Sequence, residues 1–312
     1  MTIFVTGGLG FIGSNFVFKY LQAHAADTVV ILDNYSYAAN TNNILGLYED
    51  YRVRFERVDI CNLNRMQQLY NEYQPSKTFH FAAESHVDNS INGDDEFVQT
   101  NILGTHVILK CIRKFGGRLI HVSTDEVYGS LSLDGDDHFT ETTPYNPRNP
   151  YSATKAASDH LVRAYINTHK IDAIVTNCSN NYGPRQHPEK FIPTIIRHLK
   201  NGRAVPVYGE GKNVRDWLYV DDHCDALILI GDKAEAGSRY NIGGGYECSN
   251  LQMVEMIIKL SEVKSFGINF VEDRKGHDLR YSMNSSKLTK ELGWTPKTSI
   301  EEGLKKTLEW YL

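Results

Sequence analysis

The stretch Thr2–Ser14 reads TIFVTGGLGFIGS. A short β-rich run meets three glycines, Gly7, Gly10 and Gly13, spaced three apart, and GSNFVFKYLQAHA then carries a helical pattern. Strand, glycine turn and helix in that order open a doubly wound α/β fold. The glycines let the backbone turn tightly and approach a pyrophosphate. The free N–H groups at the helix start add a partial positive charge. The competing reading is a glycine turn that only packs helix on strand. A glycine motif alone is weak; its place between a strand and a helix gives it weight.

Working outward, TVVILD ends at Asp33, twenty residues past Gly13. A carboxylate there accepts hydrogen bonds from the adenosine ribose and repels a 2′-phosphate, so NAD is expected rather than NADP. RVRFERVD is a more polar third strand, and Asp59 after it is placed to meet the adenine edge. The helix NRMQQLYNEY, the strand KTFHFAA, a helix from about Asp95 to Lys114, the strand RLIHVST, a helix from Ser152 to about His169 and the strand DAIVTNCSN continue the alternation. This predicts a Rossmann-like, mostly parallel sheet whose strand C-termini share one ligand-binding edge. Beyond Asn181 the strands VPVYG, DWLYV, YNIGG and INFVED are short, and Pro, Gly and charges are denser. The expected division is residues 1–181 as the dinucleotide domain and 182–312 as mainly a smaller α/β substrate lobe. Part of 213–232 is a candidate to return to the large domain.

The 312 residues carry 33 Lys and Arg against 38 Asp and Glu, so the mild acidity disfavours nucleic acid and anionic membranes as partners. Five scattered cysteines with no Cys-x-x-Cys pair point to reduced thiols and a cytoplasmic location. No apolar run spans a bilayer, and MTIFVTGG lacks the basic start of a signal peptide. His80, His121 and His223 show no metal-ligand spacing, and no metal is expected.

In PYSATKAASDHL, Tyr151 and Lys155 are four apart and share a helix face. A lysine beside a tyrosine favours the phenolate and lowers its pKa, which suits the tyrosine to take a hydroxyl proton while a hydride leaves. By itself the spacing also fits an ordinary amphipathic helix. The stretch IHVSTDEVYG sets Asp125 and Glu126 side by side at a strand end. Ser123 with Glu126 fits a capping box, but VYGSLSLDGDDHF reads as a loop. Two carboxyls in unlike surroundings are instead suited to act as an acid and a base.

TGGLGFIGS, STDEVYG and YSATK together resemble the nucleotide-sugar 4,6-dehydratases of the extended short-chain dehydrogenase/reductase family. The resemblance spans nearly the whole chain, including HFAAESHVDNSI, NCSNNYGPRQHPEKFIP, VYGEGKNVRDWLYVDDH and ELGWTPKTSIEEGL. It implies an NAD-dependent hydro-lyase in deoxysugar biosynthesis. Asp125 is then the acid, Glu126 the C5 base and Tyr151 the C4 base, with Lys155 supporting it and Thr124 bonding the C4 oxygen. It places Phe11, Ile12, Asn34, Ile60, Ala82, Ala83, Thr100 and Asn181 beside the cofactor. Around the nucleotide sugar it places Ser85, Asn180, Lys190, Phe191, Pro206, Tyr208, Arg215, Asn250, Arg274 and His277. The expected substrate is dTDP-glucose, with UDP-glucose next, since one methyl is worth only about 1–3 kcal/mol. Two features depart from the family pattern. Lys275 stands where a proline is usual, with an expected loosening of that loop, and the segment before Asp273 is short. Both bear on nucleotide recognition.

A 4-epimerase shares the glycine loop and the Tyr/Lys pair but has no use for an acid–base pair at C5 and C6. A non-catalytic NAD-binding regulator commonly loses the tyrosine or lysine, and both are present here. The resemblance also implies a homodimer. Apolar stripes on two helices (Ile102, Val107, Ile108; Leu161, Val162, Tyr165) are candidates to pair across a two-fold axis, or equally to pack on the sheet.

Overall fold

The computed structural model describes residues 1–264, 267–274 and 276–312. The expectation attached to Lys275, and part of the short segment before Asp273, lie outside the described residues. The strands are β1 (Thr2–Thr6), β2 (Thr28–Asp33), β3 (Val53–Arg57), β4 (Lys77–His80), β5 (Arg118–Thr124), β6 (Ala173–Cys178), β7 (Asn180–Tyr182), β8 (Val205–Tyr208), β9 (Val214–Tyr219), β10 (Arg239–Ile242), β11 (Glu247–Ser249) and β12 (Ile268–Val271). The helices are α1 (Phe11–Ala23), α2 (Leu63–Tyr73), α3 (Val87–Asn92), α4 (Asp95–Phe97), α5 (Thr105–Phe115), α6 (Pro150–His169), α7 (Phe191–Lys200), α8 (Val220–Lys233), α9 (Asn250–Ser261), α10 (Ser286–Leu292) and α11 (Ile300–Tyr311).

Seven parallel strands form the large sheet in the order β3-β2-β1-β4-β5-β6-β10. The order reverses between β1 and β4, and ligands bind at such a switch point. β2, β5 and β6 are buried almost throughout, as parallel strands covered on both faces must be. On one face Phe16, Val17 and Tyr20 of α1 pack with Leu227 and Ile230 of α8. On the other, Met66 and Leu69 of α2, Ile108 and Ile112 of α5, and Val162 of α6 close a second core. The smaller lobe has its own core of Ile192, Ile195, Val205, Trp217, Met253 and Leu308, built around the sheets β11-β9-β7 and β12-β8.

Four local features differ from the sequence reading. The strand expected in the lobe at YNIGG is β10, the edge of the large sheet, paired with β6 from Arg239↔Val175 to Ile242↔Cys178. It returns together with α8, whose Gly231 lies so close to Phe79 that a Cβ there would stand 2.7 Å from the ring. The helix expected from Asp95 to Lys114 is broken by a π-helical turn, Val98–Gly104. There Asn101 bonds Glu84 N at 2.9 Å, Glu84 O at 3.0 Å and Thr154 Oγ1 at 2.9 Å. These long-range bonds leave no periodic trace in the sequence. Helix α6 starts at Pro150, where the fixed φ of proline suits a first helical residue. A reciprocal cap with Ser152 fixes Asn149 before it. Finally, Asp125–Tyr128 is a short 3-10 turn, where a loop was expected. Thr124 caps it, its hydroxyl accepting from Glu126 N at 3.3 Å.

The apolar stripes on α5 and α6 divide. Val107, Ile108 and Val162 are buried against the sheet. Leu161 and Tyr165 on α6 and Ile102 in the π turn are only partly covered, and Val98 and Leu103 of that turn are 45% and 41% exposed.

One buried aspartate fastens the C-terminal segment to α8. Asp222 Oδ2 accepts from Lys297 N at 3.1 Å and Thr298 N at 2.8 Å, and Trp294 Nε1 donates to its carbonyl at 3.2 Å. Asp222→Ala leaves two amides without an acceptor. A loss of about 1–3 kcal/mol for each is expected in urea unfolding. An unchanged midpoint would show that this tie does not contribute.

Candidate active site

The cofactor groove follows from how closely β1, β4 and α1 approach. Gly7 has φ +69°, and a Cβ there would lie 2.8 Å from the backbone of Ala82. A Cβ at Gly13 would lie 2.3 Å from Gly7 O. Only glycine fits either place. Among the described residues no side chain caps the α1 N-terminus, and its first turn holds no acidic residue, so its free amides face the groove unopposed. At the end of β2, Asp33 Oδ2 accepts from Leu9 N at 3.0 Å and Oδ1 from Tyr35 N at 2.9 Å. Burial pushes its pKa up against those two bonds. These features fit a dinucleotide: a cradle too tight for side chains, helix amides for phosphates, and a fixed carboxylate for ribose hydroxyls.

A cavity of about 310 Å³ runs along this edge. Gly7, Gly10, Phe11, Ile12, Gly13, Asp33, Asn34, Ile60, Ala82, Ala83, Thr100 and Asn181 line it. Asp59 is not among its lining residues. Its Oδ1 accepts from Cys61 N at 2.8 Å, a local turn bond that draws the carboxylate to its own backbone. At the far end stand Ser123, Thr124, Asp125, Glu126, Tyr151 and Lys155.

A second cavity of about 350 Å³ opens toward the lobe and shares Ser85, Glu126, Asn180 and Lys190 with the first. Phe191, Pro206, Tyr208, Arg215, Asn250, Arg274 and His277 line it. Glu126 therefore stands where the two compartments meet. Arg215 is held by carbonyls, Val214 O at 2.8 Å and Asp278 O at 3.0 Å, and lies over the Tyr281 ring at 4.3 Å. Among the described residues no carboxylate is paired with it, which suits an anionic ligand. Arg274 instead forms a two-pronged ion pair with Asp88, at 2.6 and 2.9 Å. Lys190 Nζ donates to Ser85 O at 2.9 Å, and His277 Nδ1 lies 2.7 Å from Asp273 Oδ1.

The acidic pair stands in unlike surroundings, Asp125 buried and Glu126 half-buried. Burial first, and the Glu126 charge second, push Asp125 well above the usual carboxylate range; among the described residues its Oδ2 has no hydrogen-bond partner. Burial also raises Glu126, but the Asn149 amide, bonded to Oε2 at 3.3 Å, and the Arg215 charge oppose the rise. Asp125 is therefore the more readily protonated of the two. The expected lowering of Tyr151 by Lys155 is absent. Burial and the Glu126 charge push the phenol well above its ordinary value, while the lysine turns to the backbone, donating to Val122 O at 2.9 Å.

Sequence reasoning missed Asn149, Asp88, Trp217 and Tyr281, all of which line the second cavity. Asn149-Pro150 was a readable helix-start signal. The others are placed by tertiary contacts alone.

Residues 4–307 match the family described as GDP-mannose 4,6-dehydratase. The chain is 45% identical over 333 aligned positions to a dTDP-glucose 4,6-dehydratase of Haemophilus influenzae, covering 100% of this chain and 98% of that one. Among solved structures, the dTDP-glucose 4,6-dehydratase of Streptomyces venezuelae, crystallised with NAD, superposes with a TM-score of 0.96 at 43% identity, covering 100% and 97%. A UDP-glucose 4-epimerase of Thermus thermophilus in complex with NAD also superposes, with a TM-score of 0.91 at 28% identity, covering 100% and 99%.

Asp33→Ala is expected to weaken NAD binding about 10- to 100-fold and to relax the rejection of NADP. Titration with both cofactors measures this. An unchanged preference would remove Asp33 from the ribose site.

Proposed function

The chain belongs to the GDP-mannose 4,6-dehydratase family, and from that premise we propose that it dehydrates dTDP-glucose, with NAD, to the 4-keto-6-deoxy sugar and water. The observation that carries the reading is the Asp125–Glu126 pair, side by side at the end of β5 with Asp125 buried and Glu126 partly covered, opening on the same groove as Tyr151. The epimerase shares the fold, but moving a hydride at C4 alone has no use for that pair.

Residues of the glycine turn, the α1 amides and Asp33 hold NAD. When bound, NAD supplies a hydride acceptor for C4, the same hydride for C6, and a positively charged ring. Tyr151 takes the C4 hydroxyl proton; its raised pKa means that ionisation waits on positive charge entering the groove. Thr124 holds the C4 oxygen. The 4-ketone acidifies C5–H, and Glu126 removes that proton. Asp125, protonated by its burial, gives its proton to the departing C6 hydroxyl, which leaves as water. Glu126 returns a proton to C5, and transfer of one proton through solvent from Tyr151, which gained it from the C4 hydroxyl, to Asp125, which gave one to the water, restores every group. Arg215 and Arg274 hold the diphosphate, the latter by exchanging its Asp88 partner for phosphate.

We also infer a cytoplasmic homodimer. The partly covered residues Ile102, Leu161 and Tyr165, beside the exposed Val98 and Leu103, support pairing through α5 and α6. Sedimentation at micromolar concentration is expected to give twice the chain mass, and a monomer would overturn this.

Glu126→Gln tests the chemistry. Oxidation at C4 survives, so the NADH absorbance band is expected to rise on adding dTDP-glucose and to persist, whereas in wild type it is transient. Product formation is expected to fall about 10²–10⁴-fold, with slow exchange of the C5 proton for deuterium. Water loss at near-normal rate would mean that the acidic pair is structural.

A further inference from the structure

Tyr151, Lys155 and Asp159 stand four residues apart on α6 and share one face. The first two open on the groove; Asp159 is wholly buried behind them and lines neither cavity. Three side chains from separate parts of the chain saturate its carboxylate. His121 Nε2 of β5 donates to Oδ1 at 3.1 Å. The Tyr145 hydroxyl donates to Oδ2 at 2.7 Å, and Asn177 Nδ2 of β6 donates to the same oxygen at 3.1 Å. Asn177 Nδ2 also donates to the Thr124 carbonyl at 3.1 Å, and Arg239 Nε of β10 donates to Asn177 Oδ1 at 3.2 Å. Thr124 is the last strand residue before the acidic pair.

We propose that Asp159 is a positioning residue for this site, acting in two ways. Its carboxylate is the counter-charge that keeps the buried Lys155 ammonium charged. Through Asn177 it fixes the Thr124 carbonyl, and with it the turn that carries Asp125 and Glu126. The inference rests on the functional reading above, in which Tyr151, on the same helix face as Lys155, takes the C4 hydroxyl proton.

The charges around Lys155 favour this assignment. Burial pushes the lysine down, and Asp159 is the main group opposing it. The other titratable groups facing it are Tyr151 on its own helix, His80 of β4, His121 of β5 and Cys178 of β6. Burial lowers both histidines and raises the phenol and the thiol, the latter to about 12, so all four are neutral near pH 7. Asp159 itself stays ionised. Burial would raise it, but the His121 bond, the Lys155 charge and the Tyr145 bond hold it below the usual carboxylate range.

The test is Asp159→Asn, which keeps the shape and removes the charge. Without the carboxylate, the Lys155 ammonium gives up its proton at lower pH. In the NAD-bound protein, the Lys155 titration followed by NMR of ¹³C-lysine is expected to shift to lower pH. The alkaline limb of kcat is expected to move with it, with the substrate KM held. kcat on the alkaline side falls about tenfold or more. The lysine titration does not depend on which sugar nucleotide is turned over, so it fails separately from the functional reading. Asp159→Glu restores the charge and is expected to return the titration toward wild type. A folded D159N whose Lys155 titration and pH profile match wild type would overturn the counter-charge role. If D159N does not fold, Asn177→Ser carries the test, because it leaves the carboxylate and cuts the link to Thr124. A kcat lower by about 10- to 10²-fold at unchanged KM is then expected. A wild-type kcat would overturn the positioning role.

Discussion

The Lys155 ammonium donates to the Val122 carbonyl at 2.9 Å in a place where only 4% of the residue is exposed. A charge there is stable only with bonded partners and an opposite charge close by. The same demand falls on Asp125 and Glu126 a few residues away. The surrounding architecture meets it differently for each group. The lysine has a strand carbonyl and Asp159. Glu126 has an asparagine amide and distant arginines. Asp125 has the Thr124 hydroxyl, which donates to Oδ1 at 3.1 Å, and burial with the Glu126 charge still pushes it well above the usual carboxylate range. The sheet edge and the helix beside it thus hold two carboxyls and an ammonium in different states of burial, because each side chain loses water but gains different neighbours.

The sheet and the lobe divide the work. Parallel strands send β1, β4, β5 and β6 to a common edge, where the backbone of the glycine turn and the side chains of the acidic turn face one groove. The lobe adds arginines and aromatic rings around a second compartment. Glu126 lines both compartments and so joins the sheet edge to the lobe.

Much of this was legible from local pattern. The glycine spacing, the carboxylate at the end of β2 and the Tyr-x-x-x-Lys pair are short-range signals whose geometry the chain itself dictates, and all three lie on the groove. What escaped was set by distant partners. The π turn follows from Asn101 reaching Glu84 and Thr154. The bond that holds Lys155 is to a carbonyl of β5, Val122 O. The return of β10 to the large sheet rests on pairing with β6. Asp159 stood in plain view four residues past Lys155, but only the fold reveals that His121, Tyr145 and Asn177 converge on it.

The return of β10 also bears on how the chain is made. β6 is buried along its whole length, and its outer neighbour is encoded only after β7, β8, β9 and α8. A ribosome that has released β6 has therefore released an apolar strand with one edge bare, and the lobe's first strands emerge before the missing neighbour does. Bare edges of this kind pair readily with other chains. During synthesis the large domain stays open on that side until Ile242 is out, and this interval is when the nascent chain is most exposed to wrong partners.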